Sequence, residues 1–358
     1  MTPMRICSPL LLSVALAGCV VDQDWEEFDL ARAPFANEWV DRGDAEFEVL
    51  LADGYTCPDG LDARLYLVEP STPASATEPR PLALLLHGRN LDQPLATGEF
   101  PFGEDRLSAE WAALQVESML GMESALGPAA QGEGAWVAAL LEAGFAVVAP
   151  GDCWGDLWHG RGDNPYEERF LRYGAWLASE AIATAARRPE ISAETLVVVG
   201  LGEGGRGLTE LILDGVQVDG AVVDSSPDWL SPWIAQPTLH QEEIEALFAI
   251  YDGELTGITE PAAKLNALRV LLERDSLVNA VQNLGFRAPI VYAWSSLDER
   301  IDTELAQPAA DVIAVNYPPL DATVLDWAVP GHAPSNRDPE QARLRLEWLM
   351  GRLGLLTE

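Results

Sequence analysis

The sequence predicts an α/β fold with a mainly parallel central sheet covered by helices on both faces, and three observations predict it. Short apolar runs at Leu82–Leu86, Leu196–Val199 and Ile290–Trp294 read as strands buried on both sides, with Val218–Val223 a fourth, more broken one. Helical patterns lie between and after these runs, at 135–143, 168–187 and 343–353. Each strand ends in a Gly-, Pro- or polar-rich corner, among them His87-Gly88-Arg89-Asn90, Asp224-Ser225-Ser226-Pro227 and Ser295-Ser296-Leu297-Asp298. At 358 residues, such a chain can bury one large core.

Taken in order, residues 46–51 and 61–68 read as strands, with turn residues Asp53-Gly54 and Pro58-Asp59-Gly60 between them. The Pro/Ala/Ser/Thr stretch 70–81 is a surface loop, and 82–86 is the first fully apolar strand. Residues 90–134 form a long connection with a helical pattern near 109–119, long enough to shape a site. The helix 135–143 closes at Gly144, strand 145–149 follows, and the amphipathic helix 168–187 leads to strand 196–199. A glycine cluster, Gly200 to Gly207, then permits a sharp turn into the helical LTELILDG. Beyond strand 218–223, residues 228–284 are mostly helical and interrupt the alternation. Strands 290–294 and 323–328 and the terminal helix 343–353 complete the chain. No internal repeat is visible.

The formal charge is −35, and Lys264 is the single lysine. A surface so anionic is repelled by nucleic acid and by anionic headgroups, which excludes both as partners and reads as a solubilising coat. The leader carries Arg5, then an apolar core from Ile6 to Ala15 that is too short to span a bilayer, then Leu16-Ala17-Gly18-Cys19. Its end resembles the bacterial lipobox. That resemblance implies a signal peptide over 1–18, a lipid on the Cys19 sulfur and a bilayer as partner, with an acidic tether over 19–43 and a domain over 44–358. Val20 and Val21 carry no obvious inner-membrane retention mark, so the expected location is the cell envelope, with the outer membrane favoured. With Cys7 cleaved away and Cys19 acylated, Cys57 and Cys153 remain, an even pair in an oxidising compartment.

Strand, glycine turn and helix at 195–213 resemble the nucleophile elbow of the α/β-hydrolase family, G-x-S-x-G after a central strand. Gly200 and Gly204 match its flanking glycines, which puts Gly202 where the family carries its serine. The His-Gly pair at 87–88, the elbow, Asp298 and Gly331-His332 also fall in the family's order along the chain. The resemblance covers most of the mature sequence. It implies the α/β-hydrolase fold, with 228–284 as a helical cap, and His332 as base with Asp298 as the acid that orients it. It further implies an oxyanion hole from the backbone of Arg89 or Asn90 and of Glu203. The alternative for Asp298 and His332 is a pair of loop residues capping turns. In the family the second strand runs antiparallel beside the fourth, which brings Cys57 and Cys153 near one another and implies a disulfide.

Gly202 supplies no oxygen, and loss of a triad nucleophile costs on the order of 10⁶ in turnover. The expectation is therefore a catalytically degenerate, ligand- or partner-binding envelope protein. The alternative is an active esterase or amidase in which Ser225 is the nucleophile, or in which water is activated by His332 with Asp298 or by Glu203. No metal site and no cofactor are expected, since His159 and His240 lack spaced ligand partners and His87 is structural in the family. The tryptophans at 154, 158, 229, 233, 294 and 327 fit core packing better than an aromatic pocket. Gly200 to Gly205 also satisfies G-x-G-x-x-G, with Asp224 about 20 residues on. Two strand units upstream, the downstream Asp and His, and an exported location argue against that dinucleotide reading.

Overall fold

The computed structural model describes residues 39–41, 47–56, 62–70, 74–86, 134–151, 178–202, 204–226, 244–245, 247–248, 251–294, 310–311, 313, 322–326 and 338–356. One unit, Ala36–Glu358, contains all of them. Its sheet is built from β1 (Trp39–Asp41), β2 (Phe47–Thr56), β3 (Asp62–Pro70), β4 (Arg80–Leu86), β5 (Ala146–Gly151), β6 (Ile191–Leu201), β7 (Gly220–Asp224), β8 (Ile290–Trp294) and β9 (Ala322–Asp326). These strands lie in the order β1-β2-β3-β5-β4-β6-β7-β8-β9. From β5 to β9 every neighbouring pair is parallel, whereas β1, β2 and β3 run antiparallel to their neighbours. Pairing of β3 with β5 in the register Arg64↔Gly151 to Val68↔Val147 is the antiparallel contact that the family resemblance implies.

The first described strand begins at Trp39, inside the segment assigned to a tether from the sequence. An edge strand of three residues is too short to carry a period-two signal, so acidity alone decided the sequence reading there. The central strand β6 is likewise longer than its apolar run. It starts at Ile191, and Ser192 to Thr195 are only partly buried or exposed, because the strand reaches past the edge of the core before Leu196 enters it.

Alternation along the strands divides the core between the two faces. Tyr66, Val68, Ala83, Leu85, Val147, Ala149, Val197, Val199, Val222 and Val291 point to one face. There they meet α1 (Ala135–Glu142) through Trp136 and Leu140, and α6 (Pro339–Leu353) through Leu346 and Leu349. The approach of α6 is close, since a Cβ on Gly220 would stand 3.2 Å from Leu349 Cδ1. Helix α2 (Gly204–Leu213) lies on the opposite face, above Val223.

Within the interrupting segment the described helices are α3 (Asp252–Leu255), α4 (Pro261–Arg274) and α5 (Leu277–Gln282). Glu260 caps α4 by accepting from the Ala262 and Ala263 amides, with Pro261 at the first position, and Ser276 caps α5 through the Asn279 amide. Leu277, Val278, Ala280 and Val281 of α5 are buried, and α5 packs on α2.

Candidate functional site

The candidate site is the corner where β6 turns into α2, at the carboxyl edge of the parallel strands, where open α/β sheets place their ligands. The turn is tight enough to be specified by three glycines. A Cβ on Gly200 would stand 2.6 Å from both the Gly204 carbonyl oxygen and the Gly205 nitrogen, which are backbone atoms. A Cβ on Gly205 would stand 2.3 Å from Ser226 Oγ. Gly202 sits at the apex with φ +54°, the left-handed region that other residues enter at a cost. Its N–H donates to the Asp224 carbonyl at 2.7 Å, and its own carbonyl accepts from the Gly205 N–H at 3.1 Å. The corner is thus tied to the end of β7 on one side and closed into the helix on the other.

The end of β7 carries the second feature. Ser225 has φ +53°, the one non-glycine residue with positive φ among the described residues. Its N–H donates to the Ala293 carbonyl at 2.8 Å, and its Oγ donates to Asp224 Oδ1 at 3.3 Å. Asp224 and Ser225 are both fully buried, so the hydroxyl does not meet solvent. Ser226 is also buried, and its Oγ has no hydrogen-bond partner among the described residues. On β8, Trp294 is buried and packs against Tyr292, with ring centroids 6.2 Å apart, as core packing rather than as an open aromatic wall.

Of the residues singled out from the sequence, the structure brings Gly202 and Ser225 to adjacent strand ends. His332, Asp298, Arg89, Asn90, Glu203, Cys19, Cys57 and Cys153 lie outside the described residues, as do His87, His159, His240 and the remaining tryptophans of that set. Among the described residues no group of three His, Cys, Asp or Glu could hold a metal ion. No described helix is long and apolar enough to cross a membrane. One feature escaped the sequence reading: Arg206, one turn into α2 and 5% exposed, is the centre of a polar cluster with Glu210, Tyr251 and Asp275. Its spacing from Glu210 is a helical i,i+4 pair visible in the sequence, but nothing local marks Tyr251 and Asp275 as partners.

No family profile matches the sequence, and no curated protein does. Solved structures do match in shape. Esterase B from Lactobacillus rhamnosis superposes with a TM-score of 0.54 at 14% identity, over 88% of each chain. Acetyl xylan esterase 1 from Thermoanaerobacterium sp. gives 0.51 at 15% identity, over 89% of this chain and 88% of its own. The acylaminoacyl peptidase of Pyrococcus horikoshii gives 0.51 at 12% identity, over 86% of this chain and 41% of its own. The fold is that of the α/β-hydrolases. At these identities the likeness is one of architecture, and an α/β-hydrolase fold by itself assigns no chemistry, which belongs to the residues at its corners.

Proposed function

We infer that the chain is an exported, lipid-anchored α/β-hydrolase-fold protein whose elbow has lost its nucleophile and now serves to bind a ligand or an envelope partner. One observation carries this reading: the residue at the left-handed apex between β6 and α2, where an elbow presents its nucleophile, is Gly202. In support, the corner is tightly closed by its glycine contacts and its tie to Asp224, and Gly202 offers no side-chain oxygen there. Asp298 and His332 are read as the retained acid and base, and the amides of Glu203 and of Arg89 or Asn90 as the polar end of the binding site. Residues 228–284 are read as its helical cap.

A second reading draws on the strain at Ser225. A left-handed non-glycine residue beside a buried aspartate is the kind of backbone feature that gathers at working sites. In that reading Ser225 is the nucleophile of an active esterase or amidase. Complete burial of its hydroxyl weighs against it.

Fluorophosphonate labelling of the full chain separates the two. No adduct is expected on the wild-type protein, and a stoichiometric adduct mapped to Ser225 would overturn the binding reading in favour of the enzyme. The envelope assignment has its own test in a bacterial host. The protein is expected in the membrane fraction, to leave it on Cys19→Ser, and to show free thiols at Cys57 and Cys153 only after reduction. Membrane association that survives Cys19→Ser would refute the lipid anchor, and two free thiols without reductant would refute the bridge.

A further inference from the structure

Arg206 holds two parts of the chain together. Its Nη2 lies 2.9 Å from Glu210 Oε1, one turn further along α2, and also donates to the Tyr251 hydroxyl at 3.2 Å. Its Nη1 donates to the Asp275 carbonyl, between α4 and α5. The Tyr251 hydroxyl in turn donates to Asp275 Oδ2 at 3.2 Å. One buried guanidinium thus joins the elbow helix to the start of α3 and the end of α4, across 45 and 69 residues of sequence.

Glu210 sits among charges of both signs. It lies near Arg206 on its own helix and Asp214 just past the helix end, and across the junction near Asp275. Tyr251 stands beside the same guanidinium. Arg274 lies on the far side of Asp275, bound to both of its carboxylate oxygens and 3.9 Å from Glu254. Among the described residues, the strands beneath α2 and the helix α5 contribute no charged group to the set. Among the described residues Arg206 is thus the cation paired with Glu210, Arg274 pairs with Asp275, and the Glu210 side chain is 17% exposed. Burial pushes the Glu210 carboxyl up to about 7; the Arg206 guanidinium opposes the rise, and Asp275 and Asp214 add to it. Burial also pushes the Tyr251 hydroxyl up, so it stays a donor to Asp275 throughout the physiological range.

We propose that this cluster is a pH-sensitive latch between the elbow helix and residues 251–275, shut when Glu210 is protonated and loosened when it is ionised. The sign follows from where the proton is held. In the shut junction Glu210 keeps its proton up to about 7, whereas a parted junction returns the carboxyl to water and to its ordinary value of 4.5. The shut form therefore binds the extra proton between those two values. Parting becomes easier as pH rises through that window and changes little above it. From pH 5 to pH 8 the opening equilibrium should rise on the order of 100-fold. The latch adds regulation of the elbow to the functional reading above, and its test requires neither ligand binding nor turnover.

The test is amide hydrogen exchange on the full chain from pH 5 to pH 8, with intrinsic rates divided out. Peptides covering 251–282 should lose protection on the order of 100-fold as pH rises, ahead of peptides from β4 and β6, which report global unfolding. Glu210→Gln keeps a polar group of the same shape and cannot ionise, so its 251–282 peptides should stay protected at pH 8. Protection that falls in step with β4 and β6 at every pH, or an unchanged pH dependence in Glu210→Gln, would sink the latch. Should that variant fail to fold, the wild-type profile still decides: a rise completed near pH 7 supports the latch, and a flat profile overturns it.

Discussion

Gly202→Ser is expected to make the chain a better esterase than the wild type, raising kcat/KM toward a short activated ester by at least about 100-fold. The ceiling is the roughly 10⁶ that a triad nucleophile is worth, and the recovered share depends on how well acid and base are still aligned. The backbone is already prepared, since Gly202 holds φ +54° and is fixed by hydrogen bonds to Asp224 and Gly205. A serine there accepts a left-handed cost of about 1–2 kcal/mol, so the variant should fold with a modestly lowered Tm. Gly202→Ala is the matched control, carrying the same strain and no hydroxyl. If folded Gly202→Ser is no more active than Gly202→Ala, the proposal that Asp298 and His332 remain a working pair is wrong.

The largest loss of stability is expected from Gly200→Ala. The added methyl carbon would lie 2.6 Å from the Gly204 carbonyl oxygen and the Gly205 nitrogen, and neither can turn aside as the end of a long side chain could. The first turn of α2 must lift from β6, while Gly205 behind it is held against Ser226. Overpacking of this kind costs about 3 kcal/mol, and loss of the elbow contacts adds to it, so the denaturation midpoint should fall well outside error. Gly253→Ala supplies the contrast. That glycine is exposed in α3 with nothing within 4 Å of the added carbon, so the change should be neutral or slightly stabilising. Equal effects at the two positions would mean that the corner is not as tightly built as these distances say.

Much of the architecture was legible because it depends on local pattern. The runs at 82–86, 196–199 and 290–294 are apolar on both sides of the strand because helices cover both faces of the sheet, and they became β4, β6 and β8. The glycines at 200, 204 and 205 were legible as a tight corner because close backbone contact admits no other residue there. Shorter and more polar pieces were not legible. Three residues of β1 carry no period, and the polar start of β6 lies outside the core that would have marked it.

By itself, the sequence determined the order of the apolar strands along the chain and the glycine corner with Gly202 between Gly200 and Gly204, because each is a matter of residue type at a fixed spacing. Only the tertiary structure decided that Ser225 takes a left-handed conformation beneath full burial, and that Arg206 is shared among Glu210, Tyr251 and Asp275. Those outcomes depend on which distant segments the sheet and its helices bring into contact. A buried cation finds its partners by proximity in space, and separations of 45 and 69 residues leave no periodic trace in the chain.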